Sequence, residues 1–254
     1  MAGDGEGPIV IDGEDETVDV AEIFNGEGQI VIEGEDETVD VAEIFSPPRV
    51  CAQARILGYK AGFSHDLSTG VDMLQFEGRA RVWADIDQAQ PRLLVSSPPC
   101  TWFSKLQNLN LHHYTDEQRA ARDTDAKMLL DFGIACCRKQ LVAGRLFAHE
   151  HPWTATSWRH ESVRALAQEM GVAKVDFDQC AIGLRSPDGN PIKKRTRLLT
   201  NSPSIVATFS AYQCHCGPGV EHTTLIGSNL GVRLSRFAQV YTKTLCVGLL
   251  EALE

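Results

Sequence analysis

Residues 91–104 read PRLLVSSPPCTWFS, and their order decides the fold. A short apolar run, Arg92-Leu93-Leu94-Val95, stops at Ser96-Ser97-Pro98-Pro99. A run this short, closed by turn residues, reads as a buried parallel strand. The two prolines stiffen the loop and hold Cys100 at a defined place past the strand end. Outward from this stretch, strands and helices alternate. Thr38–Phe45 reads as a strand broken by Pro47-Pro48, with a short helix over Val50–Leu57. Ala61–Leu67 is a second strand, and residues 77–90 are helical. Residues 115–142 form the longest helix, with Thr115 as its cap, Glu117 in its first turn and apolar Met128, Leu129, Phe132 and Ala135. Arg145–His149 and Val172–Phe177 are strands on either side of a helix over Ser157–Met170, which Gly171 terminates. Asp188-Gly189-Asn190 is a turn leading into the strand Arg195–Thr200, and Arg233–Leu253 is a closing helix. This alternation predicts an α/β fold with a mostly parallel sheet, in which ligands sit at the carboxyl ends of strands.

The chain has 254 residues, 43% hydrophobic and 23% charged, the composition of a globular protein rather than a disordered or collagen-like one. No apolar run reaches the ~18 residues of a membrane span. The acidic start lacks the basic-then-apolar order of a secretory signal. Eight cysteines are too sparse for a disulfide scaffold. They read as reduced thiols of an intracellular protein, nuclear in a eukaryote. Charge divides the chain. Residues 1–46 hold 15 acidic and no basic side chains, and residues 47–254 carry all 24 basic ones against 19 acidic. A basic body suits a polyanion partner. Residues 1–36 form an acidic arm built by duplication, since GPIVIDGEDETVDVAEIF (7–24) recurs as GQIVIEGEDETVDVAEIF (28–45). Such an arm either solubilises the protein or competes for a basic groove. The second copy enters the body, residues 37–254, as its first strand.

Two further strand ends carry chemistry. Glu150, in FAHEHPW (147–153), stands among His, Pro and Trp residues that would desolvate a carboxyl and keep it protonated. Lys193, Arg195 and Arg197 alternate in KKRTR (193–197), so a strand there turns three cations to one face as a phosphate rail. In the short segment 198–232, Cys214, Cys216 and His222, with Cys180 as a possible fourth, offer ligands for a structural zinc.

Taken in order, these stretches resemble the cytosine-5 DNA methyltransferase family. SSPPCTWFS matches the family's GGPPCQGFS motif at five of nine places. FAHEHP is similar to its Glu-Asn-Val motif, and KKRTR to its Gln-x-Arg-x-Arg motif. Divergent methyltransferase-like segments of transposable-element polyproteins share the FSPPR, SPPCT, EHP and Arg-Thr-Arg stretches over residues 38–254. The resemblance implies a Rossmann-like fold that binds S-adenosylmethionine and acts on a flipped-out cytosine. Cys100 matches the nucleophile that attacks carbon 6, and Glu150 the acid on ring nitrogen 3. Arg195 and Arg197 match the arginines that position the base and the Cys loop. Phe45 matches the adenine contact of the first strand, and Asp66 the ribose-binding acid of the second. Pro98 completes the cofactor side, while Trp102, Ser104 and Lys193 face the substrate. The implied partner is nucleic acid, DNA foremost, with no membrane.

The chain also departs from the family. Ser46-Pro47-Pro48-Arg49 stands where glycines are expected, His151 where an asparagine braces the nucleophile loop, and Thr101 where glutamine belongs. Residues 198–232 replace a full target-recognition region. The alternative expectation is a methyltransferase-fold protein without activity, or a mobile-element remnant, that binds nucleic acid or protein. A metal-dependent hydrolase using His112, His113, His149, Glu150 and His151 would leave SPPCTWFS unexplained.

Overall fold

The computed structural model describes residues 38–254 except 105, 106 and 108–110, together with two short strands upstream. Those two, β1 (Ile23–Phe24) and β2 (Ile30–Val31), pair antiparallel. Residues 1–37 form one unit and 38–254 another. The rest of the acidic duplicated arm lies outside the described residues.

The body is built on a six-stranded sheet of order β4-β3-β5-β6-β8-β7. Its strands are β3 (Val41–Ile44), β4 (Ala61–His65), β5 (Leu93–Ser96), β6 (Leu146–Pro152), β7 (Ala173–Asp178) and β8 (Arg195–Thr200). Pairings among β4, β3, β5 and β6 are parallel, and β8 runs antiparallel to both neighbours. The mostly parallel α/β sheet expected from the alternation is therefore present, compatible with a Rossmann-like fold. β3 and β5 are buried throughout, as strands covered on both faces must be.

Side-chain alternation explains the two cores. Val41, Leu93, Val95 and Ala148 face α1 (Val50–Ile56), α5 (Pro203–Ser210) and α7 (Lys243–Leu250). Their neighbours Ala42, Ile44, Leu94 and Phe147 face the other way. Ala42, Ile44 and Leu94 meet α2 (Phe76–Ala89) and α3 (Asp116–Val142), and Phe147 meets α3 and α4 (Glu161–Leu166). A ribbon of β9 (Ser228–Asn229) and β10 (Val232–Arg233), followed by α6 (Leu234–Phe237), completes the body.

Three helices differ from expectation. Thr115 caps α3 as expected, in a reciprocal box with Gln118. Met128, however, is exposed, and the buried residues form two stripes, Leu130-Ile134-Cys137 and Phe132-Cys136. The helix seats between two clusters, so no single 3.6-residue stripe describes it. The expected helix 157–170 is a 3₁₀ turn, Thr156–Arg159, and then α4, with extended His160 between them. The closing helix breaks after Phe237 and restarts at Lys243, because Thr242 caps a new helix by accepting the Leu245 N–H. The break sends Tyr241 toward the sheet's carboxyl edge.

Register sets the site. Ile44, Ser96 and His149 are aligned on adjacent strands, so Phe45, Ser97 and Glu150 follow at one level. β4 and β5 flank β3 on opposite sides, which makes the β3/β5 boundary a topological switch point, where such sheets open a crevice.

Candidate functional site

A cleft of about 500 Å³ occupies that crevice. Phe45, Ser46 and Pro47 line it after β3, Asp66 after β4, Ser97 to Thr101 after β5, and Glu150 from β6. Lys194, Arg49, Arg236 and Tyr241 close its rim. The structure thus brings Cys100, Glu150, Phe45, Asp66 and Pro98 to one space.

Phe45 has φ +61°, a left-handed conformation that a bulky side chain adopts only under constraint. Its N–H donates to His65 O at 2.7 Å, and its ring meets Phe132 edge-on at 6.4 Å. Gly133 makes room for this turn. A Cβ there would lie 2.9 Å from Ser96 Oγ and 3.1 Å from Phe45 Cε2. Where glycines were expected, Ser46-Pro47-Pro48 leads instead into α1, whose first amides are taken by a buried acid. Glu43 Oε1 accepts from Arg49 N at 2.8 Å and Cys51 N at 2.9 Å. Asp66 caps its own turn, accepting from Ser68 N at 2.8 Å.

Cys100 and Glu150 both line the cleft. Glu150 is buried. Its Oε1 has no hydrogen-bond partner among the described residues, and Tyr241 donates weakly to Oε2 at 3.4 Å. Burial raises the Glu150 carboxyl above its ordinary value, against the opposing pull of Lys194, the Tyr241 hydroxyl and Arg49. The Cys100 thiol is also raised, first by burial and then by Glu150, with Lys194 opposing. That influence places the thiol in the field of the carboxyl. Tyr241 is pushed well up by burial and by Glu150, and its hydroxyl also bonds Ser97 Oγ. In the cleft, burial therefore shifts acid, thiol and phenol all toward their protonated forms, with Lys194 and Arg49 opposing it at Glu150.

His151 holds the cysteine loop. Its Nε2 donates to Pro98 O at 2.9 Å, which leaves Nδ1 to accept from Ser157 Oγ at 2.6 Å. Burial brings its pKa down to about 4, so the ring is neutral at pH 7. The residue that replaces asparagine in the motif thus makes a bracing contact to the loop.

The other expected residues lie elsewhere. Arg197 makes two bonds to Asp176 and stands 5.5 Å from the Trp158 ring. Arg195 lies over exposed Trp153 at 5.7 Å. Neither lines the cleft, and exposed Lys193 does not either. Lys194 does, with Nζ donating to Ala238 O at 2.9 Å. The strand begins at Arg195, so Lys193 lies outside it, and Lys194 is the cation of this stretch that lines the cleft. Trp102 donates to Asp123 Oδ1 at 3.1 Å, away from the cleft. Ser104 turns the loop below it through its backbone carbonyl, which accepts from Gln107 N at 3.0 Å. Sequence reasoning does not reach Tyr241, Lys194, Arg49 or Gly133. Only Gly133, a glycine inside an otherwise strong helix, leaves a signal in the sequence.

Among the described residues, one group of metal-ligating side chains comes together: Cys180, Cys214, Cys216 and His222, which could hold a metal ion. The histidines at 112, 113, 149 and 151 form no such group with Glu150. No described helix is long and apolar enough to cross a membrane. No protein-family model matches the chain, and no curated protein matches it.

Proposed function

We propose that the cleft is the active site of a cytosine methyltransferase on a Rossmann-like fold, with S-adenosylmethionine as methyl donor and nucleic acid, DNA foremost, as substrate. One observation carries the reading: Cys100 and Glu150, from separate strand ends, line one cleft, and the Glu150 charge raises the Cys100 thiol. A cytosine reached there must leave its stack. Glu150, whose protonated form burial favours, gives its proton to ring nitrogen 3, which makes carbon 6 electrophilic. The Cys100 thiol gives its proton to water, with Lys194 favouring the thiolate, and the sulfur attacks carbon 6. His151 keeps the loop from receding. S-adenosylmethionine, when bound, supplies an electrophilic methyl group for carbon 5. Loss of the carbon 5 proton to water, expulsion of the thiolate and return of the nitrogen 3 proton to Glu150 then restore the cysteine and the acid.

The first turn supports this choice of ligand over a dinucleotide. Glycine-rich turns serve pyrophosphate, which needs bare amides at a helix N-terminus. Here Glu43 already occupies the α1 amides, so a phosphate would meet a carboxylate. S-adenosylmethionine carries a sulfonium cation and no phosphate. The Phe45 ring offers a face to its adenine, and Asp66 an acceptor to its ribose. Pro98 would complete the donor's wall.

Pro47-Pro48 and the raised thiol favour a second reading, a methyltransferase fold that binds without catalysing. Calorimetry with S-adenosylmethionine, followed by transfer of a labelled methyl group to cytosine-containing DNA, separates the two. We expect binding and transfer, with transfer lost in Cys100→Ala. Absence of binding up to millimolar donor rejects the enzyme.

A further inference from the structure

Residues 211–227, none of which lines the cleft, link α5 to β9 with no helix or strand. Loops this long need an anchor of another kind. Hydrogen bonds hold this one at its two ends: Asp178 N donates to Tyr212 O at 2.9 Å and Leu234 N to Gly227 O at 3.2 Å, with others between. Cys214 N donates to Asp178 Oδ2 at 3.1 Å, and Thr223 N to Pro191 O at 2.8 Å. Within the same segment, Cys214, Cys216 and His222 turn back onto buried Cys180, and all four ligand atoms lie within 4.8 Å of one another. Cys214 Sγ and His222 Nε2 are 3.3 Å apart. Tetrahedral zinc, with Zn–S about 2.3 Å and Zn–N about 2.0 Å, requires ligand separations of roughly 3.5–3.8 Å. The four atoms need only a small adjustment to reach them. All cysteines are free thiols, and a set of three thiolates and one imidazole selects a soft or borderline cation.

We infer that Cys180, Cys214, Cys216 and His222 form a closed structural zinc site that clamps the 211–223 loop against the segment carrying Lys194. The ligands flank that segment's anchors. Next to Cys180, Gln179 N donates to Lys194 O at 3.0 Å, and next to His222, Thr223 O accepts from Lys193 N at 2.9 Å. Four protein ligands fill the coordination sphere and leave no open position for a reacting water. The metal therefore orders the wall of the cleft and takes no part in its chemistry. The inference stands whether or not the cleft transfers methyl groups.

The test uses the full chain, tag removed and purified without chelator. Elemental analysis is expected to give one zinc per chain. Cobalt exchanged for it is expected to show the visible absorption of a tetrahedral thiolate site. Cys214→Ser combined with Cys216→Ser is expected to lose the metal. In the wild-type protein, chelation is expected to speed hydrogen exchange at the amides of Cys214, Thr223 and Lys193 at least tenfold, leaving β3 and β5 protected. A reduced chain that binds no zinc at micromolar free metal, or a six-coordinate cobalt spectrum, overturns the site. Unchanged exchange at those amides after metal removal overturns the clamp.

Discussion

A single imidazole, His151, links the cysteine loop to the pH behaviour of the whole domain. Its pKa falls from 6.5 to about 4 because the folded protein buries it. Between those values the unfolded chain binds the proton and the folded chain does not. Stability is then complete above pH 6.5 and falls as the pH drops toward 4, by about 3 kcal/mol for this group. Buried His149 acts in the same direction. Urea unfolding of His151→Asn should therefore approach that of the wild type as the medium is acidified, and a gap independent of pH would contradict the assignment. Glu150 has the opposite sign. Its raised pKa means that the fold is favoured below the ordinary carboxyl value and loses that advantage as the pH rises through the folded pKa. Glu150→Gln should hold or raise the thermal midpoint at pH 7 while methyl transfer falls by about 10²–10⁴. A large loss of stability would show that the carboxylate is a structural anion instead.

Among the elements, α3 is the one on which the cleft depends. Adding a methyl group at Gly133 gains about 1 kcal/mol of helix propensity. It also drives a Cβ into Ser96 Oγ and the Phe45 ring, where overpacking costs about 1–3 kcal/mol. Gly133→Ala should destabilise the body in denaturant titration and disturb donor binding through Phe45; a stabilised variant would show that the packing is looser. Thr115→Ala removes a reciprocal cap and should cost about 1 kcal/mol. Elements with simple patterns were legible. β5 announced itself as a short apolar run, β3 as a strand stopped by Pro47-Pro48, and the Thr115 cap as a start signal. The α3 faces were not, because two clusters share one helix. Nor was the break before Thr242, where a cap inside an apolar segment outweighs continuity.

Across the whole molecule, strand order places the chemistry. The cleft lies where β4 and β5 depart on opposite sides of β3, which is why Phe45, Cys100 and Glu150 meet although the sequence separates them. Their meeting was legible from strand-end position. The cation that joins them was not, since side-chain parity in residues 193–197 depends on where β8 starts. Arg197 spends its charge on Asp176, and Lys194 reaches the cleft in place of Lys193. Residues 38–254 form a unit of their own, so a chain lacking residues 1–37 should unfold at the same midpoint as the full chain. A lowered midpoint would mean that the arm contributes to the fold. The central assignment is the cysteine adduct, and its most direct measurement is a trap: DNA carrying 5-fluorocytosine, incubated with the protein and S-adenosylmethionine. Fluorine at carbon 5 blocks the final proton loss, so a covalent protein–DNA species should accumulate, map to Cys100 by peptide mass spectrometry and vanish in Cys100→Ala. Donor binding without any adduct, or an adduct that survives that substitution, would contradict it.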